Sequence, residues 1–248
     1  MTTTCIEFDD VVAGYKDFMI LNNLSFKAAT GSITLLLGPN GAGKSTVLKT
    51  LFGLLKPRQG KILLNGESVV GMSQKELLAK GIAFVPQGRN LFGQLTVFQN
   101  LELGGITIGP KLTHERIPEV LEFFPRVKER MHSMASSLSG GEQKQLEIGR
   151  ALLLRPKVIL IDEPSIGLSP MVVADVFKLL RKLADQGTTV LMVEQNVKSA
   201  LKISDEAIAL ESGRLVLQKP ASDLLADPHI ERLFLGGAHT TSAQAAMV

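Results

Sequence analysis

Short, nearly continuous apolar runs recur along the chain, separated by stretches in which apolar residues return every three or four positions. Ile33 to Leu37, Ile82 to Val85, Val158 to Ile161, Thr188 to Val193 and Ala207 to Leu210 are such runs. Runs without polar alternation suit strands covered on both faces, so the pattern predicts an α/β fold with a largely parallel sheet and helices on its faces. Lys44 to Leu54 continues the first run as a helix. The N-terminal part differs: Ile6 to Val12, Leu21 to Ala28 and Lys61 to Leu64, the last closed by the turn pair Asn65-Gly66, read as an antiparallel β-subdomain. From Gly88 to Arg150 the period is mostly helical, with Leu101, Val120, Leu121, Phe123 and Phe124 offering apolar faces. This predicts an inserted helical subdomain whose last helix stops at Arg155-Pro156. The expected organisation is one domain over 5–237, with a core of 5–87 and 151–237 and the helical subdomain over 88–150. The small polar residues of 238–248 read as a disordered tail.

Composition narrows the class. Of 248 residues, 45% are hydrophobic and 21% charged, which is globular rather than disordered composition. A net charge of +3, with no segment of Lys and Arg interleaved with aromatics, argues against a nucleic-acid partner. Cys5 is the single cysteine, so no disulfide framework exists, and it is expected as an inert surface or half-buried thiol. The opening MTTTCIEFDD lacks the basic and apolar regions of a signal peptide. No apolar run approaches the roughly 20 residues of a bilayer span. A cytoplasmic setting is expected.

Two motifs carry chemistry. Gly38-x4-Gly43-Lys44-Ser45, between a predicted strand and a predicted helix, has the form of a P-loop, whose backbone N–H groups converge on phosphate oxygens. Gly38, Pro39, Asn40, Gly41, Ala42, Gly43, Lys44, Ser45 and Thr46 are therefore expected to bind a nucleotide. Lys44 would reach the β- and γ-phosphates, Ser45 a magnesium ion and Thr46 the α-phosphate region. Val158 to Glu163 then places two carboxylates at the end of an apolar strand, where ligands of open α/β sheets bind. Asp162 is expected to hold magnesium and Glu163 to orient or deprotonate an attacking water.

The run Leu138-Ser139-Gly140-Gly141-Glu142-Gln143 looks like a second phosphate site in a chain that already has one. With the P-loop and the acidic strand end, it resembles the signature sequence of the ATP-binding cassette ATPases. The resemblance covers roughly Cys5 to Gly237. It implies ATP and Mg2+ as ligands and head-to-tail pairing of two cassettes, in which Leu138, Ser139, Gly140, Gly141 and Glu142 close over the partner's nucleotide. It also implies that Gln87 touches magnesium or the attacking water, and that Tyr15 stacks on adenine. The sequence departs from the commonest family pattern twice. Ser169 stands where an aspartate is frequent, and Gln195 stands where a histidine usually contacts the γ-phosphate. An amide can donate there but cannot titrate near neutral pH.

Pro86-Gln87-Gly88-Arg89, Glu163-Pro164-Ser165, Val193-Glu194-Gln195-Asn196 and Phe234-Leu235-Gly236-Gly237 together resemble the LivF-type ATPases of branched-chain amino acid importers. That resemblance implies a second cassette as partner in a hetero- or homodimer, two membrane permease subunits and, indirectly, a solute-binding protein. The chain would then sit on the inner face of the plasma membrane. Gly88 to Phe92, with Leu95 and Val97, are expected to form the groove that receives a cytoplasmic helix of the permease. Cassettes for urea, short amides, or lipid and polysaccharide export share most of these features. A cytosolic cassette acting on ribosomes or DNA, and a P-loop kinase or GTPase, are the other classes weighed. The first lacks its usual tandem cassette or basic arm here, and the second leaves the signature run unexplained.

Overall fold

A computed structural model describes residues 3–88 and 90–226. The chain runs through β1 (Thr4–Tyr15), β2 (Phe18–Ala29), β3 (Ile33–Leu37), α1 (Lys44–Leu51), β4 (Gln59–Leu64), β5 (Glu67–Ser68), α2 (Gln74–Ala79) and β6 (Ile82–Val85). It continues with α3 (Val97–Gly104), α4 (Pro110–Leu121), α5 (Pro125–Glu129), a 3-10 turn at Ala135–Ser137 and α6 (Gly140–Leu152). The last part holds β7 (Val158–Asp162), α7 (Pro170–Asp185), β8 (Thr189–Val193), α8 (Val197–Leu201), β9 (Glu206–Glu211), β10 (Arg214–Pro220) and α9 (Ala221–Leu225). Arg89, the closing Phe234 to Gly237 and the 238–248 tail lie outside the described residues.

Two sheets share the work. In the larger, ordered β10-β9-β3-β8-β7-β6, the strands from β9 to β6 are parallel and β10 is antiparallel to β9. The smaller is antiparallel, ordered β2-β1-β4-β5. Side chains of the parallel strands alternate between two cores, as the pleat requires. Ile33, Leu35, Ile159, Ile161, Val190 and Met192 face one core, shared with α3 to α7. Leu36, Val158, Leu160, Leu191 and Val193 face the other, shared with α1 and the antiparallel sheet. Burial on both faces explains why these strands read as uninterrupted apolar runs.

Several expectations need correction. The first helix ends at Leu51 rather than Leu54: Gly53 adopts φ +70°, and Leu54 N–H reaches back to the Lys49 carbonyl at 2.9 Å, a glycine-terminated helix stop. Strand β8 begins at Thr189, because Thr188 N–H is spent on the Leu183 carbonyl at the end of α7. Cys5 is fully buried rather than at the surface or half-buried, with 3% exposure, since β1 is an interior strand and its inner face packs against the second core. Burial raises its thiol pKa, against lowering hydrogen bonds from Thr189 and Thr30.

Candidate functional site

The C-terminal edges of β3, β7 and β8 lie side by side, and each delivers part of one cleft. After β3 the chain wraps into the glycine loop and enters α1, whose N-cap is Gly43 at φ +100°. A β-carbon at position 43 would stand 2.9 Å from Leu21 Cδ2, so both conformation and space demand glycine. No side chain caps this helix and no acidic residue occupies its first turn, leaving N–H groups free for an anion. Lys44 folds back into the loop, its Nζ donating to the carbonyls of Gly38 at 2.8 Å and Pro39 at 3.0 Å. Burial, the largest influence, lowers the Lys44 pKa, while Glu163 and Asp162 raise it.

Strand β7 ends in Asp162 and leads into Glu163, which are 2% and 7% exposed. Ser45 Oγ donates to Asp162 Oδ1 at 3.1 Å. Burial pushes the Asp162 carboxyl above its ordinary range; the Ser45 hydrogen bond opposes this and the Glu163 charge adds to it. Glu163 itself has φ +50°, in the left-handed region, and its N–H is held by the Val193 carbonyl at 2.8 Å. Both of its carboxylate oxygens are engaged by amides. Gln87 Nε2, just past β6, donates to Oε2 at 2.5 Å, and Gln195 Nε2, just past β8, donates to Oε1 at 2.8 Å.

A cleft of about 400 Å3 is lined by Asn40, Gly41, Gly43, Lys44, Ser45, Thr46, Gln87, Glu163 and Gln195, with Tyr15 and Ile20 at its rim. Tyr15 ends β1 and is 44% exposed, and Lys49 Nζ lies 6.0 Å from its ring centroid. The structure thus assembles the expected loop, carboxylates and glutamines with the aromatic ring in one place. The donor set fits a small hard cation: the Ser45 hydroxyl meets the Asp162 carboxylate, and Gln87 and Glu163 line the same cleft.

The signature residues are elsewhere. None of Leu138 to Glu142 lines the cleft. Ser139 is the N-cap of α6 in a capping box with Glu142: its Oγ accepts from Glu142 N–H at 3.3 Å, and Ser139 N–H donates to Glu142 Oε2 at 2.8 Å. The two glycines have different neighbours. A β-carbon at Gly141 would lie 2.9 Å from both γ-methyls of Val172 on α7, so packing within this chain requires that glycine. At Gly140 the nearest atom would be the Gly167 carbonyl oxygen, 4.0 Å away. Leu138 is buried, while Ser139 and Gly140 are exposed.

Sequence reasoning missed a second layer of polar residues. Glu194, 2% exposed, accepts hydrogen bonds from Ser165 and from the backbone after β8. It follows four apolar residues, Val190 to Val193, at a strand end, the pattern that singled out Asp162. Lys144 and Glu147, on one face of α6, form a buried pair 2.5 Å apart. Glu147 Oε1 also accepts Asn90 N–H at 2.6 Å, and Lys144 Nζ lies 3.4 Å from the Gly88 carbonyl. The helix that begins with the signature therefore grips the segment that follows Gln87. Opposite charges at i,i+3, Lys144 and Glu147, beside the apolar Leu146 and Ile148 were the readable signal.

Of the segment expected to form a groove, Asn90 lines a cavity. A cavity of about 260 Å3 between β6 and the helices is lined by Phe52, Phe84, Asn90, Leu103, Ile106 and Arg150, among others, and not by Leu91, Phe92, Leu95 or Val97. Val97 is fully buried as the first residue of α3 and Leu91 packs on the first core, whereas Phe92 is 54% exposed beside Arg150.

The model of the ABC transporter family matches residues 21–166. The chain is 42% identical over 232 residues to the high-affinity branched-chain amino acid transport ATP-binding protein BraG of Pseudomonas aeruginosa, covering 94% of this chain and 100% of that one. The chain belongs to the ABC transporter ATPases. It is also 39% identical over 225 residues to the probable branched-chain amino acid transport ATP-binding protein LivF of Archaeoglobus fulgidus, covering 90% of this chain and 95% of the other. In structure it is similar to the ADP conformation of the cassette MJ1267, with a TM-score of 0.85, 27% identity and coverage of 95% and 100%. As a member of this family, the cassette binds ATP and hydrolyses it to ADP and phosphate. Among the described residues no helix is long and apolar enough to cross a membrane.

Proposed function

We propose that this cassette drives an importer of branched-chain amino acids from the cytoplasmic side of the plasma membrane. It works with a second cassette, two permease subunits and, through them, a solute-binding protein. Similarity to BraG over nearly the whole of both chains carries the choice of solute. The cavity lined by Phe84, Leu103 and Ile106 is the proposed seat for a permease helix; Ile106, 72% exposed, offers it an apolar contact.

In the proposed reaction the triphosphate lies on the glycine loop with its adenine against Tyr15. Lys44 exchanges the Gly38 and Pro39 carbonyls for β- and γ-phosphate oxygens. Ser45 and Asp162, with the Gln87 amide oxygen, would hold Mg2+, and that ion would supply charge neutralisation at the phosphates. Gln195 turns its amide from Glu163 to the γ-phosphate. Glu163 then accepts a proton from the water that attacks phosphorus, and ADP leaves. Ser139 Oγ and the N–H groups of Gly140 and Gly141 act on the γ-phosphate held by the partner. Support comes from Gly140, which no packing inside this chain requires, and from the separation of the signature from its own cleft. Preorganised donors of this kind supply most of the barrier lowering in phosphoryl transfer.

Reconstitution with the second cassette, permeases and binding protein in vesicles tests the reading. Leucine, isoleucine or valine should stimulate ATP hydrolysis, and urea or short amides should not; the reverse pattern would reassign the solute.

A further inference from the structure

Glu194 has no part in the reaction just described, yet it is the most heavily bonded buried carboxylate near the cleft. Its Oε1 accepts from Ser165 Oγ at 2.6 Å, Gln195 N–H at 2.7 Å and Asn196 N–H at 2.9 Å, and its Oε2 accepts from Ser165 N–H at 3.1 Å. These donors come from two separate segments. Ser165 lies two residues after Glu163, and Gln195 and Asn196 open the connection from β8 to α8. The same two segments meet again through the Gln195 amide and Glu163 Oε1 at 2.8 Å.

We infer that Glu194 is a positioning residue for hydrolysis: its carboxylate ties the backbone beyond Glu163 to the backbone of Gln195, and so fixes where the side chains of those two residues meet. The inference rests on the roles proposed above for Glu163 and Gln195.

The chemistry of the link specifies the residue. An ionised carboxylate presents only acceptors, and four donors point at this one. Glutamine would turn an NH2 group toward either Ser165 N–H or the cluster at Oε1, placing donor against donor. Aspartate is one methylene shorter than a side chain that spans both segments. Helix capping does not account for the arrangement, because Asn196 already caps α8 with its own side chain, accepting from Ser199 N–H at 3.4 Å. Glu163 adopts φ +50°, a conformation that persists only when neighbouring contacts hold it, and Glu194 supplies two of those contacts through Ser165.

The test measures ATP turnover of the full-length chain paired with the second cassette of its transporter, and binding of trinitrophenyl-ATP to the full-length chain, for Glu194→Gln, Ser165→Ala and Ser165→Thr. Each is also made in the Glu163→Gln background. Glu194→Gln should lower kcat by about 10-fold or more, a loss of one charged hydrogen-bond set, with KM for ATP and analogue affinity within about 2-fold of the parent. Ser165→Ala, a gentler change, should lower kcat severalfold without moving the melting temperature, and Ser165→Thr, which keeps the hydroxyl, should recover the loss. In the Glu163→Gln background none of these substitutions should reduce residual hydrolysis further, because they act through Glu163. Wild-type kcat in both Glu194→Gln and Ser165→Ala would overturn the inference alone, as would losses that merely follow the fraction of folded protein. Normal turnover in Glu163→Gln itself would instead overturn the underlying reading of the site.

Discussion

The side-chain amide of Gln195 donates to Oε1 of Glu163 across 2.8 Å, while Gln87 holds the other oxygen at 2.5 Å. Water that approaches this carboxylate must share or displace those amides to reach an oxygen. Nucleotide must therefore compete for at least one amide before Glu163 can take a proton from water. The competition favours the γ-phosphate, whose charge draws the Gln195 amide more strongly than Glu163 does once cations surround it. Gln195→Ala should then lower kcat by roughly 10-fold to 100-fold with little change in KM, as expected for a donor used mainly in the transition state. Gln195→His should restore turnover and add a pH dependence near 6.5 that the parent lacks. Full activity in Gln195→Ala would reduce the position to a structural one.

Gly140 and Gly141 differ in what an added methyl would meet. Gly141→Ala forces Cβ to 2.9 Å from Val172 and should destabilise the chain by about 1–3 kcal/mol in thermal or denaturant unfolding. Pairing it with Val172→Ala should relieve most of that cost. Gly140→Ala meets no atom closer than 4.0 Å and replaces glycine by a better helix former, so stability should hold or rise slightly. Turnover should nevertheless fall, because in the proposed composite site the methyl would crowd the partner's nucleotide.

Lys144 and Glu147 are 6% and 5% exposed at their side chains, so each neutralises a charge that water cannot reach. Glu147→Ala should cost about 3–5 kcal/mol by stranding Lys144, whereas the double change Lys144→Met with Glu147→Leu should come close to parental stability. The double variant also frees Asn90 N–H from Glu147. Its readout beyond stability is a weaker dependence of hydrolysis on the permease subunits, since the segment after Gln87 loses its grip on α6.

The Cys5 thiol is buried and its pKa raised, so the reactive thiolate is scarce and shielded. Labelling by a disulfide reagent at pH 8 should be slow in native protein and should follow the unfolding transition in denaturant. Rapid stoichiometric labelling of the native chain would contradict the burial of Cys5 in the second core.

How much of this was legible in sequence depended on whether residues signal locally. Continuous apolar strands such as Ile33 to Leu37 announce burial on two faces, and the loop before Lys44 announces its chemistry by spacing. Strand β10 was not read: Arg214 to Pro220 lies at a sheet edge with largely exposed side chains, so no apolar run marks it. The capping boxes at Ser73–Glu76 and Thr96–Gln99 repeat the Ser139–Glu142 spacing and could have placed the starts of α2 and α3. Glu194 and Glu147 act through partners far along the chain, 29 residues away at Ser165 and 57 residues away at Asn90, and no local pattern encodes such pairs. The cavity beside Asn90 was not read for the same reason. Val97 turns inward because Thr96 caps α3 immediately before it, and the cavity instead gathers Phe52, Phe84 and Ile106 from separate segments.

The central claim is that one chain's signature completes the nucleotide site of another, and sedimentation of Glu163→Gln with saturating Mg-ATP tests it most directly. Removing the base keeps ATP intact, so the variant, mixed with the second cassette of its transporter, should sediment as a stable pair. That pair should dissociate when ATP is withdrawn or Ser139→Arg is introduced. Separate monomers at saturating Mg-ATP, or a pair indifferent to Ser139→Arg, would contradict the account.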